Sequence, residues 1–220
     1  MKKLVLIGAS LGMATAATPV MAQSDDGGFR IEALAGWDRV DLSIDEANDI
    51  EGNDSGIFYG AGIGYDLPSG PVLVGIEAEL SSSSNGIEEE VEDIDYSARA
   101  SVEDGLNWYI GGRLGTWVSE RTAFYGKVGY ARTTVDVDVS ETIGGVTERD
   151  SADIDFGGFR FGVGVEHKLG SKAFGKLEYR YTSYSDAEVE YDGESVDVSD
   201  LLDEVDLERH QIVAGVGLRF

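Results

Sequence analysis

Catalytic chemistry has few places to start in this chain. Only two histidines occur, His167 and His210, and there is no cysteine, so thiolate nucleophiles, disulfides and cysteine metal sites are excluded. A serine–histidine hydrolase needs a hydroxyl within reach of its base. Neither His167-Lys168-Leu169 nor His210-Gln211-Ile212 supplies one two residues on. Asp206 and His210 share a parity on an extended chain, but acids crowd that region and chance pairing is expected. No catalytic residue and no cofactor is therefore assigned, and the chain reads as a protein that is not an enzyme.

Charge is the second chemical signal. The 220 residues carry 42 acids against 17 Lys and Arg, a formal net charge of -25. Such an excess of carboxylate argues against a nucleic-acid partner, because binding there depends on neutralising phosphates. With 42% hydrophobic residues and 10% aromatics, the chain is also too apolar for a disordered polyanion. The acids concentrate in Glu88-Glu89-Glu90-x-Glu92-Asp93-x-Asp95 and in the stretch holding Asp186, Glu188, Glu190, Asp192, Glu194, Asp197, Asp200, Asp203, Glu204 and Asp206. Oxygen-rich segments of this kind suit weak binding of Ca²⁺ or Mg²⁺. No twelve-residue calcium loop or glycine–aspartate repeat is present, so they read first as solvated, self-repelling segments and no metal site is assigned.

These residues are placed by a strict alternation. From Phe29 onward every second residue is apolar over eight stretches, which is the period of a strand with two unlike faces. The predicted strands are Phe29–Asp41, Gly56–Asp66, Val72–Ser81, Leu106–Trp117, Ala123–Val135, Ile154–His167, Ala173–Tyr184 and Glu208–Phe220. Short connections at 67–71, 119–122 and 168–172 alternate with long ones at 43–55, 82–105, 136–153 and 185–207. An even strand count with short turns at one end and long loops at the other predicts a membrane barrel. Strand running beyond the membrane within the long connections is compatible with that pattern.

One face of each stretch carries aromatic and β-branched residues with almost no charge. The other mixes glycine with both signs: Glu32, Glu77, Glu79, Glu166 and Glu178 beside Arg113, Lys127, Arg160, Lys176, Arg180 and Arg219. In a water-soluble sandwich the charged face would be outside. Near-balance of sign on this face, in so acidic a chain, predicts instead a paired ionic interior, since an unpaired buried charge is very costly. The runs Gly60-x-Gly62-x-Gly64, Gly162-x-Gly164 and Gly215-x-Gly217 share that face, where eight strands leave little room. Trp37, Tyr59, Tyr65, Trp108, Phe124, Tyr130, Tyr179, Tyr181 and Phe220 have the opposite parity, that of a lipid face, and predict two girdles at the headgroup levels.

The two ends of the chain add targeting signals. Lys2-Lys3, the apolar run Leu4 to Ala17 and the small-residue site ending at Ala22 predict a secretory signal peptide over residues 1–22, leaving a barrel domain over 23–220. Its removal takes the formal charge from -25 to -27, since two lysines leave. At the other end Ile212-x-Ala214-x-Val216-x-Leu218-x-Phe220 resembles the final strand of Gram-negative outer-membrane proteins. With the leader and the glycine-rich alternation, the chain resembles the opacity-protein/OmpA-like eight-stranded outer-membrane β-barrel family, also labelled porin family, over its barrel domain only.

That resemblance implies an all-β, antiparallel up-and-down transmembrane barrel in the cell outer membrane, with short periplasmic turns and long acidic extracellular loops. It implies outer-membrane lipid and lipopolysaccharide as surroundings. The barrel-assembly machinery would be a partner during insertion, reading Ile212, Ala214, Val216, Leu218 and Phe220. A structural or adhesin-like surface role is expected, with a narrow porin-like channel as the alternative and a lipid or peptide hydrolase behind it.

Overall fold

A strand turns successive side chains to opposite faces, and nearly the whole described chain obeys that rule. The computed structural model describes residues 27–44, 50–93, 96–143, 146–191, 194–198 and 205–220. The expected leader and the acids Asp95, Asp192, Asp200, Asp203 and Glu204 lie outside the described residues. The strands are β1 (Gly28–Ile44), β2 (Ile50–Ser69), β3 (Val72–Ser83), β4 (Gly86–Asp93), β5 (Tyr96–Trp117), β6 (Thr122–Ile143), β7 (Val146–Lys168), β8 (Ala173–Tyr191), β9 (Glu194–Asp197) and β10 (Val205–Arg219). Eight of them form a closed antiparallel ring, β1-β2-β3-β5-β6-β7-β8-β10, with β10 returning to β1. β4 and β9 are short additions on β5 and β8. Closure pairs every edge, so the ring presents no open ladder.

Register fixes the shape. Partners followed from Arg30 through Gly64, Glu77, Gly111, Gly129, Arg160, Thr182 and Arg209 return to β1 at Val40. The circuit thus climbs from position 30 to position 40, a shear of ten residues. With eight strands this implies a tilt of about 40°, a wall radius of about 8 Å and a rise of roughly 2.5 Å per residue along the axis.

The faces sort by chemistry. Ile57, Ile63, Ile76, Leu80, Ile110, Val163 and Val216 point outward and are largely exposed, while Arg30, Glu166 and Arg180 are fully buried in the lumen. Glycine makes room for them. A β-carbon at Gly62, Gly64 or Gly162 would run into the side chains of Glu32, Arg30 and Lys127 respectively. These three long lumen side chains thus lie across a neighbouring strand's glycine.

The segments expected as long loops are largely ladder. Pairing continues to Ile44↔Ile50, Asp93↔Tyr96, Ile143↔Val146 and Tyr191↔Glu194. Alternation persists there but its faces exchange chemistry. In β6 the outward residues Phe124, Val128 and Tyr130 give way to Arg132, Thr134, Asp136 and Asp138, while Val135, Val137 and Val139 take the inward parity. The β6–β7 register does not shift anywhere along this length, so the reversal is chemical: the wall passes from hydrocarbon into water. An expectation built on an apolar outer face loses its signal at that point, which is why it stops at Val135.

Ile76, outward on β3 and the most exposed of these residues at 69%, tests the lipid face. Ile76→Arg should destabilise the bilayer-inserted barrel by about 2–4 kcal/mol, read as a lower urea midpoint for unfolding from lipid vesicles.

Candidate functional site

Inward parity on all eight ring strands converges on one continuous ionic network. Arg30 contacts Glu32 at 3.3 Å, Asp66 at 3.3 Å, and Glu77. Lys127 Nζ lies 2.9 Å from each of Glu77, Glu79 and Glu178. Arg180 holds Glu79 at 2.9 Å and also binds Glu178, while Lys176 reaches Glu32 at 2.8 Å. Toward the turn end, Glu166 joins Arg113 at 2.7 Å to Arg219 at 2.8 Å, and Arg219 also meets Asp66 at 2.8 Å. Tyr125 donates to Glu178 at 2.6 Å.

Above this network the lumen changes character twice. Leu34, Phe58 and Val213 form a small buried apolar layer, with the Tyr109 ring beneath Lys127 and Arg160. Then Arg209 closes the hairpin end. Its Nε is 2.9 Å from Asp38 Oδ1, its Nη2 2.6 Å from Asp104, and its Nη1 2.9 Å from Asn107 Oδ1. Asn85 donates to Asp38 at 3.3 Å and Thr133 to Asp104 at 3.0 Å.

Among the described residues eight bases (Arg30, Arg113, Lys127, Arg160, Lys176, Arg180, Arg209, Arg219) face eight acids (Glu32, Asp38, Asp66, Glu77, Glu79, Asp104, Glu166, Glu178). The lumen is therefore neutral. Carboxylate oxygens of Glu32, Glu77 and Glu79 lie within 4.8 Å of one another, a spacing a metal could use. Arg30, Lys127 and Lys176 already supply the positive charge there.

Of the eleven residues expected in the interior network, ten are brought together. Arg160 is buried but has no carboxylate within ion-pair distance among the described residues. Its Nε donates to Thr182 at 2.9 Å and its guanidinium lies over Tyr109, because its level in the barrel falls beside the apolar layer rather than the acids. Arg30, Asp38, Asp66, Asp104, Arg209, Tyr109 and Tyr125 were not in the expected set. The first three and Arg209 continue the inward parity of their strands, which is the signal that marks them. Asp104 has none, since a register shift between Asp104 and Asn107 displaces it.

The expected girdle aromatics all take the outward parity. Register puts Tyr65 and Phe124 near one level and Trp37, Tyr59, Trp108, Tyr130 and Tyr181 about 16 Å above it, with Tyr179 between and nearer the upper set. Ile212, Ala214, Val216, Leu218 and Phe220 are outward and exposed on the strand that closes the ring. The histidines also face outward. His210 Nδ1 is 2.8 Å from the Tyr179 hydroxyl and its Nε2 is 3.8 Å from Glu208. His167 Nδ1 is 3.0 Å from Thr122 Oγ1, and the Asp206 side chain is outside the described residues. Just above the upper aromatics, Arg132 binds Asp155 and Glu188 at 2.9 Å each. Burial works to raise the Asp155 carboxyl, but hydrogen bonds from Arg132 and Thr134 and the Arg132 charge outweigh it and hold it below the ordinary value.

An apolar exterior around a closed ring with an ion-paired centre defines a transmembrane β-barrel. The chain belongs to the outer membrane protein β-barrel domain family, whose model matches residues 8–220. It is an integral protein of the Gram-negative outer membrane, with the short turns toward the periplasm and the extended hairpins outside the cell. Among solved structures it is similar to the attachment invasion locus protein Ail of Yersinia pestis, at 12% identity over 88% of this chain and 99% of that one (TM-score 0.41). OprG of Pseudomonas aeruginosa matches at 12% identity over 88% of this chain and 97% of that one (TM-score 0.45). The outer membrane protease OmpT of Escherichia coli matches at 8% identity over 91% of this chain and 99% of that one (TM-score 0.45). A search of curated proteins gave no match.

Removing one partner from a buried ion pair leaves an uncompensated charge, at a cost of about 3–5 kcal/mol. Arg209→Ala should lower stability by that order, measured by urea titration in vesicles with heat-modifiable gel migration as the readout. The double variant R209A/D38A should recover part of the loss, since it removes a stranded acid as well.

Proposed function

We propose that this barrel is a non-enzymatic surface-interaction protein, a sealed anchor that displays acidic hairpins outside the cell. The observation that carries this reading is the division of charge. The lumen is neutral and filled, so the excess of acid over base in a chain of net charge -25 is spent elsewhere, and outward positions above the aromatic band hold Asp136, Asp138, Asp153, Asp155, Asp186 and Glu188. Lipopolysaccharide phosphates lie at that level, and divalent cations would bridge them to these carboxylates. A flat calorimetric trace with millimolar Ca²⁺ removes that bridge from the reading.

A channel is disfavoured by what fills the centre. A solute crossing the barrel would have to part the Arg209 cap, the Leu34–Phe58–Val213 layer and the network beneath them. Planar-bilayer recordings should show no sustained open conductance, and steps of the size of a water-filled pore would overturn the sealed-anchor reading. Whole cells displaying the barrel should retain fluorescent polylysine. Neutralising Asp136, Asp138, Asp153 and Glu188 to their amides should lower that retention without changing heat-modifiable migration. Cleavage after Ala22 belongs to the same proposal, and mass spectrometry of the outer-membrane form should find Gln23 at its start.

A further inference from the structure

The turn end of the barrel carries a group of basic side chains around a recess. Lys168 at the end of β7, Lys172 in the β7–β8 turn, Phe174 at the start of β8 and Arg219 at the end of β10 line a recess of about 480 Å³. That is within the size range of small-molecule sites. The recess has an aromatic wall, since Phe174 is buried and the Arg219 guanidinium lies 5.4 Å from its ring centre. Trp117, at the end of β5, sits beneath Lys168, whose ammonium is 4.0 Å from the ring centre.

A buried donor in the lining of this recess has no acceptor, and a second lies behind it under Lys168. Arg219 spends Nη2 on Asp66 and Glu166, at 2.8 Å each, while its Nε has no partner and the side chain is only 10% exposed. Trp117 Nε1 is likewise buried and unpartnered. Buried donors are nearly always satisfied in native proteins, and Arg219 lines a recess that also carries two ammonium groups. The acids paired with Arg219, Asp66 and Glu166, are shared with Arg30 and Arg113. Lys168 and Arg219 continue the inward parity of β7 and β10, so the recess opens along the barrel axis rather than sideways into lipid.

We propose that the periplasmic mouth is a binding site for a small oxyanion, a carboxylate or phosphate presented on a soluble molecule or a peptide end. The lysines supply charge, Arg219 supplies a directed N–H group, and Phe174 accepts an adjoining apolar portion. The site would give a strongly acidic protein one place where a periplasmic anion is attracted instead of repelled.

The test uses the full barrel in phosphatidylcholine nanodiscs with Trp37 and Trp108, both lipid-facing, changed to Phe so that Trp117 alone reports. Inorganic phosphate and N-acetyl-alanyl-alanine should each produce a saturable change in emission, and the amidated dipeptide should produce none. K168Q/K172Q should weaken both anions at least tenfold, with calorimetry supplying affinities that do not depend on the Trp117 surroundings. The response should persist in discs containing phosphatidylglycerol. Absence of saturation with both anions, or equal affinity in K168Q/K172Q, overturns the proposal. So does loss of the response in anionic discs, which would make the mouth a lipid-headgroup contact.

Discussion

Hydrocarbon offers no hydrogen-bond partner to a peptide group, and the rest of this molecule follows from that lack. Every backbone N–H and C=O inside the membrane must be answered by the chain itself. The β10–β1 ladder, running from Arg30↔Arg219 to Ile44↔Val205, is the seam that makes this possible for strands. Once the ring closes, each strand has one face in lipid and one in a centre enclosed by a wall about 8 Å in radius. Apolar residues have to take the first, and whatever fills the second must be self-sufficient.

The filling chosen here is ionic. Buried ion pairs are weak contributors to net stability, because desolvation offsets much of their attraction. Their effect is on uniqueness: Lys127 touches three glutamates from two strands, β3 and β8, and Arg30 ties β1 to β2 and β3. A register slip of one residue would send each of these groups into lipid. The lumen therefore specifies the pairing that the outer face, greasy at every second position, would tolerate in several registers. Inward glycines complete the arrangement by giving Arg30, Glu32, Lys127 and Lys176 a strand to lie across.

Much of this was legible in the sequence, for a physical reason. Alternation is a local property, so the eight strands and the sorting of faces follow from neighbours two residues apart. Ion partners are not local. Arg209 and Asp38 are 171 residues apart in the chain, and only closure and a shear of ten bring them level. Parity marks Arg30, Asp66 and Arg209 as inward but says nothing of height, which is why Arg160, equally inward, ends beside Thr182 and Tyr109 rather than an acid. The hairpins were hidden for another reason. Val135, Val137 and Val139 alternate as cleanly as the strand below them, but on the face opposite to the one that a lipid-facing pattern follows.

That exchange of faces along β6 works as a waterline. Two residues of travel correspond to about 5 Å along the axis. Sinking by that amount would drag Arg132 and its acidic partners into acyl chains, while rising would lift Tyr130 and Phe159 out of them. Charged groups on the lipid face cost more the deeper they lie, so the barrel has a restoring force against vertical drift in both directions. Its draught is written into one continuous strand, and the bilayer has to match it in thickness.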